Sequence, residues 1–146
     1  MADDTVPTDA ERAAILVRAL EAQVAGESRV VCELYTDDVQ GRTPGYTVTS
    51  AAALAVELED RAAAFTDVEL DVAPLDVAGD AAAVEWVLWL THSGRLEAHG
   101  VVIEPTGTRV CLHGVTVAEF ADDRIRSFRQ YWDEAELVAQ LVSTGA

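Results

Sequence analysis

Arg124-Ile-Arg-Ser-Phe-Arg-Gln-Tyr-Trp-Asp133 leads without a break into Glu134-Ala-Glu-Leu-Val-Ala-Gln-Leu141. The first stretch is predicted to be a strand over 124–132, in which polar residues sit among aromatics. By the two-residue period of a strand, Arg126, Phe128, Gln130 and Trp132 share one face, and Ser127, Arg129, Tyr131 and Asp133 the other. Asp133 with Glu136 three residues on is capping geometry, so a helix should start there. Gln130 is the unusual residue. Its amide donates and accepts hydrogen bonds but exchanges no proton at neutral pH.

Working outward from this stretch, Ala121-Asp-Asp-Arg124 reads as a hairpin turn, preceded by a strand over 109–121. On that strand Leu112, Gly114, Thr116 and Ala118 share a face, opposite Cys111, His113, Val115 and Val117. Earlier extended segments are predicted at 66–78, 82–93 and 96–104, with a turn at 78–80. The segment Thr66-Asp-Val-Glu-Leu-Asp-Val alternates as a half-exposed strand should. Val84-Glu-Trp-Val-Leu-Trp-Leu is apolar on both faces, so it should be central and covered on both sides, one of them by a second subunit.

Helices come first in the chain. Thr8 and Glu11 form a capping box, Ile15, Leu16, Ala19, Leu20 and Val24 repeat at helical spacing, and Gly26 is placed to end the helix. A second, short helix after Ser28 buries Val31, Leu34 and Tyr35 and is closed by Asp37-Asp38. A turn cluster at Gly41–Gly45 and a short strand at 46–49 follow. Ser50 then caps a third helix with Leu54, Leu58 and Ala62 on one face. Helices, then strands, then one helix is an α+β order rather than an alternating one. Residues 1–146 form one domain in this reading, with 1–7 expected to be disordered.

Composition narrows the function classes. The chain has 146 residues, 26 acidic against 10 basic, a net charge of 10 − 26 = −16. That excess repels nucleic-acid phosphates and anionic membrane surfaces, and it favours solubility. There is no run of apolar residues long enough to span a bilayer and no signal-peptide pattern at the start. Cys32 and Cys111 fit no disulfide framework and are expected to be reduced, partly buried thiols in a cytoplasmic protein.

The segment from Gly107 to Leu141, with its strand–turn–strand and its closing R-x-Y-W-D into a helix, resembles the SnoaL-like polyketide cyclases. It also resembles the limonene-epoxide-hydrolase type, and both belong to the nuclear transport factor 2 superfamily. Leu34-Tyr-Thr-Asp-Asp-Val39 before a turn fits the same plan. The resemblance implies a cone-shaped α+β fold. Its strongly curved mixed or antiparallel sheet would carry the N-terminal helices on the concave face, with a pocket inside and, usually, a homodimer. It places the family's last-strand aspartate at Gln130, and a partner residue of the cyclases near Thr116. The epoxide hydrolases' Arg-x-Asp pair falls on Leu88-Trp-Leu-Thr91, and the ketosteroid isomerases' aspartate near Gln40-Gly-Arg-Thr-Pro44. Neither region holds the family residues.

The candidate catalytic residues are therefore Gln130, Thr116 and His113. Gln130 could orient a carbonyl or a water, or be a buried amide satisfied by its neighbours. His113 is a candidate because an imidazole is by type suited to general-base work, but strand parity puts it on the face opposite Thr116 unless a β-bulge intervenes. The candidate ligand-binding residues are Tyr35, Arg42, Tyr46, Trp89, Leu112, Phe128 and Trp132. Tyr35, Arg42 and Tyr46 sit near the cone mouth, while Trp89 or Trp132, with Leu112 and Phe128, would line the pocket. His92 and His99 should flank an exposed hairpin at Ser93-Gly94. The histidines lack metal-site spacing, and no cofactor is implied. The expected activity is cofactor-free cyclisation, isomerisation or epoxide opening on a hydrophobic oxygenated compound, polyketide- or terpenoid-like. The alternatives are a non-catalytic binding or dimeric accessory protein and a module that binds a partner through its outer sheet face.

Overall fold

The computed structural model describes residues 6–77, 79–98 and 100–142. Helix α1 (Asp9–Ala25) starts at the predicted capping box: the Glu11 N–H donates to Thr8 Oγ1 at 3.1 Å and the Thr8 N–H to Glu11 Oε1 at 2.9 Å. Gly26 ends it in the left-handed conformation, with φ 70. The expectation for residues 1–5 lies outside the described residues. Pro7, included in the same expectation, is held, because its carbonyl accepts from Arg12 Nη1 at 2.8 Å. Helix α2 (Ser28–Leu34) is followed by strand β1 (Tyr35–Arg42) and the two-residue strand β2 (Thr47–Val48). Ser50 caps α3 (Ala51–Ala62) by accepting from the Ala53 N–H.

Strand β1 corrects the sequence reading, in which Asp37-Asp38 closed a helix and 41–45 was a turn cluster. Both aspartates are exposed positions of a strand that buries Tyr35, Val39 and Gly41. The strand exists because β8 (Arg124–Trp132) runs parallel beside it, Gly41 opposite Phe128 and Arg42 opposite Arg129. Its partner lies more than 80 residues away in sequence, so no local pattern announces the pairing.

The remaining strands are β3 (Phe65–Leu75), β4 (Ala81–His92), β5 (Leu96–Ala98), β6 (Val101–Ile103) and β7 (Arg109–Ala121), and α4 (Glu134–Val142) closes the chain. Six strands form a mixed sheet in the order β2-β1-β8-β7-β4-β3. The strand expected over 96–104 is instead a separate small hairpin of β5 with β6. As expected, β4 lies within the sheet between β3 and β7.

One face of this sheet is the core. Val84, Trp86, Leu88 and Leu90 of β4 and Val110, Leu112, Ala118 and Phe120 of β7 point into it, against Leu16 and Leu20 of α1, Leu54 and Leu58 of α3, and Leu137 and Leu141 of α4. The same parity carries His92, the last residue of β4, inward. It is 0% exposed, which corrects the exposed-hairpin expectation. Its Nδ1 accepts from the Thr106 N–H at 3.2 Å and lies 3.0 Å from Thr106 Oγ1. His99 lies outside the described residues. The β7–β8 ladder shifts register where Glu119 faces Ser127 but Phe120 faces Ile125. Ile125 is therefore buried, and Arg126, assigned by parity to the inner face, is exposed, 3.6 Å from Asp80 Oδ2.

Helix α4 is fixed by two devices. The Glu136 N–H donates to Asp133 Oδ1 at 3.0 Å, the predicted cap. Gln140 brackets the Cys111 backbone, accepting from its N–H at 3.0 Å and donating to its carbonyl at 2.8 Å, where β7 extends beyond its pairing with β8. Leu137 is thereby held over the same face of the sheet.

Candidate functional site

Between the helices and the sheet lies a cavity of about 120 Å³. Helix α1 contributes Leu20, Gln23 and Val24, and α3 contributes Leu58, Arg61 and Ala62. Strands β3 and β4 supply Phe65, Val68, Leu70, Trp86, Leu88 and Leu90. Leu112, Gln130, Trp132, Leu137 and Tyr46 complete the wall. Side chains from both ends of the sequence meet here because period 3.6 on α1 and period 2 on the strands aim at one volume.

Six of these residues carry polar groups, and the indole N–H groups of two, Trp86 and Trp132, are spent on Thr116 and Glu134. Gln130 is 5% exposed, and its Nε2 donates to Gln23 Oε1 at 3.0 Å. Gln23 Nε2 in turn donates to the Tyr35 hydroxyl. Tyr35 lies behind the wall, 1% exposed, with its ring edge-on to Phe128 at 5.5 Å. Burial pushes the Tyr35 phenol well above its usual value, so it is neutral throughout the physiological range.

The other polar pair stands on the helix α3 side. The Arg61 guanidinium lies 5.4 Å from the Tyr46 ring centre and 5.8 Å from that of Trp132. Its Nη2 is 3.8 Å from Glu134 Oε2, while Trp132 Nε1 donates to Glu134 Oε1 at 2.9 Å. Two aromatic faces and a carboxylate thus hold one cation at the cavity wall. Burial pushes the Tyr46 phenol up to about 12, against the opposing pull of Arg61.

Among the sequence-derived candidates, Gln130, Tyr46, Leu112 and Trp132 come together around the cavity. The others do not reach it. Thr116 is buried on the inner face opposite Gln130, but its Oγ1 is the acceptor for Trp86 Nε1 at 2.9 Å. His113 is exposed on the far face of the sheet. The β4–β7 register runs unbroken through it, so no bulge turns it inward. Its Nε2 lies 3.8 Å from Cys111 Sγ. Trp89 also sits on the far face, because β4 parity sends its even-numbered residues inward, and the tryptophan of that strand in the wall is Trp86. Phe128 is consumed by core packing against Gly41 and Tyr35, and Arg42 is an exposed residue of β1. Cys111 is half-buried as expected, whereas Cys32 is exposed.

Gln23, Arg61 and Trp86 were missed. A signal existed for the first two. Gln23 is a polar residue three and seven positions from Leu20 and Leu16, and Arg61 stands likewise to Leu58 and Leu54, so each lies on an apolar stripe.

The wall holds no carboxylate and no imidazole, and its ionisable residues are Tyr46 and Arg61. What the arrangement offers is shape, apolar contact, an amide and a cation held in place. Among the described residues no group of three or more His, Cys, Asp or Glu side chains is disposed to hold a metal ion.

Residues 14–141 match the family model of the SnoaL-like polyketide cyclases. The chain belongs to this family. Solved structures of SnoaL-like and related proteins share its fold. One, assigned as a SnoaL-like polyketide cyclase from Jannaschia sp. CCS1, superposes with a TM-score of 0.79 at 18% identity, covering 92% of this chain and 94% of the other. AclR from Streptomyces galilaeus, assigned as a hydroxylase, gives 0.76 at 24% identity over 93% and 98%. A limonene-epoxide-hydrolase-like epoxide hydrolase of M. tuberculosis gives 0.70 at 19% identity over 94% and 93%. No curated protein sequence matches significantly. The SnoaL-like assignment agrees with the mixed sheet and four helices described above.

Proposed function

We propose that this SnoaL-like protein binds one ring or chain end of a hydrophobic, oxygenated compound, polyketide- or terpenoid-like, and guides its cofactor-free cyclisation. The observation that carries this reading is an almost wholly apolar wall with the Gln130 amide in it. Epoxide opening and double-bond isomerisation need a positioned acid or base, and the wall holds no carboxylate or imidazole to serve as one. Closing a ring in a polyketone chain moves a proton too, from the attacking carbon to the carbonyl oxygen that becomes a hydroxyl. A carbon between two carbonyls is acidic enough for water to carry it, which leaves a folded conformation and a polarised carbonyl for the protein to supply. Binding in a shaped cavity supplies the first, and a fixed amide donor the second.

Turnover of aromatic polyketone substrates should be lost in Gln130→Ala while the circular dichroism spectrum and thermal midpoint stay near wild type. Full activity in that folded variant would sink the reading.

The same lack of a proton-moving group favours a second reading, a non-catalytic ligand carrier. It predicts a clear rise in thermal midpoint with hydrophobic ketones and no turnover by the wild type. We further propose a homodimer through the outer sheet face, where Val87, Trp89 and Val115 are half-buried and Tyr131 is 52% exposed. Val87→Glu should then yield monomers in analytical ultracentrifugation, and an unchanged sedimentation coefficient would rule that interface out. The proposed compartment is the cytosol, where Cys32 and Cys111 stay thiols.

A further inference from the structure

Tyr35, Gln23 and Gln130 form a single hydrogen-bonded chain from the protein interior to the cavity. In the structure Gln23 Nε2 donates to the tyrosine oxygen and Gln130 Nε2 donates to Gln23 Oε1. Run in this direction, the chain leaves the Tyr35 hydroxyl proton without an acceptor among the described residues, and it turns Gln130 Oε1 towards the cavity.

The nitrogen and oxygen of an amide exchange places by a half-turn about its terminal bond, with almost no change in shape. Turning both glutamines reverses the chain. Tyr35 Oη–H then donates to Gln23 Oε1, and Gln23 Nε2–H to Gln130 Oε1. The Gln130 NH₂ is left at the cavity.

Hydrogen-bond accounting favours the reversed direction. A fully buried hydroxyl that accepts but does not donate forfeits the hydrogen bond its proton made to water in the unfolded chain. An amide can act at either end, but the phenol has only one proton and, among the described residues, only Gln23 beside it to receive it. Tyr35 therefore sets the direction of both amides. Its burial keeps that proton in place, since the phenol ionises only well above its ordinary range.

We propose that Tyr35 and Gln23 are positioning residues that fix Gln130 as a hydrogen-bond donor, so that the cavity selects a ligand carbonyl oxygen over a ligand N–H or O–H. This rests on the reading of the cavity as a ligand site. It also gives the site a direction: a ketone is held by its oxygen, and any negative charge that develops there faces a donor already in place.

Three small aromatic probes of similar size separate the possibilities. Acetophenone only accepts, indole only donates, and ethylbenzene does neither. Their affinities are read by calorimetry. Wild type should bind acetophenone about tenfold more tightly than ethylbenzene, the equivalent of one hydrogen bond of about 1.4 kcal/mol. Indole should gain nothing over ethylbenzene. The carbonyl stretch of bound ¹³C-acetophenone should fall below its value in hexane.

Tyr35→Phe should erase the ketone preference while ethylbenzene binding persists, because nothing then fixes the direction. Gln23→Glu at pH 8 accepts at both ends, so it should turn Gln130 round and make indole the preferred probe. If none of the three probes binds, the cavity reading fails and takes this inference with it. If ethylbenzene binds but wild type does not favour acetophenone, or indole wins, only the direction of the chain is overturned. The infrared measurement on wild type stands whether or not the variants fold.

Discussion

Trp86 fills the space over Gly114, its cross-strand partner: a Cβ on Gly114 would stand 2.1 Å from the indole Cζ2. The indole is in turn pinned by its N–H to Thr116 Oγ1. One glycine and one hydroxyl thus set the position of a ring that forms part of the cavity wall. Gly114→Ala must displace that ring, and overpacking of this kind costs about 1–3 kcal/mol. Urea denaturation should register the loss, with a change in native tryptophan emission. An alanine variant as stable as wild type would show that the ring has room to move.

Thr116 is the inner-face residue directly opposite Gln130, and its hydroxyl serves Trp86. Thr116→Val strands a buried indole N–H, for a loss of about 1–3 kcal/mol, whereas Thr116→Ser keeps the acceptor and should lose less. Comparing the two by thermal unfolding tests the assignment. Equal losses in both would point to the methyl group rather than the hydrogen bond.

Asp133 caps helix α4, whose Leu137 forms part of the cavity wall. Asp133→Ala should cost about 1 kcal/mol of stability. Probe affinity, measured at a temperature where the variant is fully folded, should remain near wild type. A large loss of affinity in the folded variant would give Asp133 a direct part in binding.

Among the described residues His92 is the one fully buried histidine, and desolvation depresses its pKa below the ordinary 6.5. A depressed base is neutral in the folded state while the unfolded chain takes up a proton. Stability from this residue is therefore complete above pH ~6.5 and is lost as pH falls through that value towards the folded pKa. Glu11 and Glu119 add a separate, more acidic window. Both have lowered pKa values, Glu11 through its bonds with Thr8 and Glu119 chiefly through Ser127, so their contributions disappear only below pH ~4.5. Stability measured by urea unfolding from pH 7.5 to 3.5 should fall in two stages. In His92→Gln the upper stage should vanish. An upper stage that persists in this variant would assign it to another group.

The sequence by itself determined the elements whose signals are local. The capping box of Thr8 and Glu11, the Ser50 and Asp133 caps and the left-handed Gly26 each involve groups within a few residues of one another. Side-chain parity on β7 was legible for the same reason, and it placed Leu112 and Thr116 inward and His113 outward. Strand β4, apolar on both faces, gave no such sorting, and Trp89 was named where Trp86 lines the cavity. Parity failed at Arg126, where a register shift consumed one residue, and at His92, where a reading of exposed loop overrode the count.

Only the tertiary structure decided which of the inward residues meet. Strand β1 forms because β8 lies beside it, and no feature of residues 35–42 names that partner. Gln130 found its neighbour in Gln23, 107 residues away, and Thr116 gave its hydroxyl to Trp86 instead. Periodicity fixes the face on which a side chain stands, but hydrogen bonds form across the space between faces, and that distance belongs to the packed chain alone.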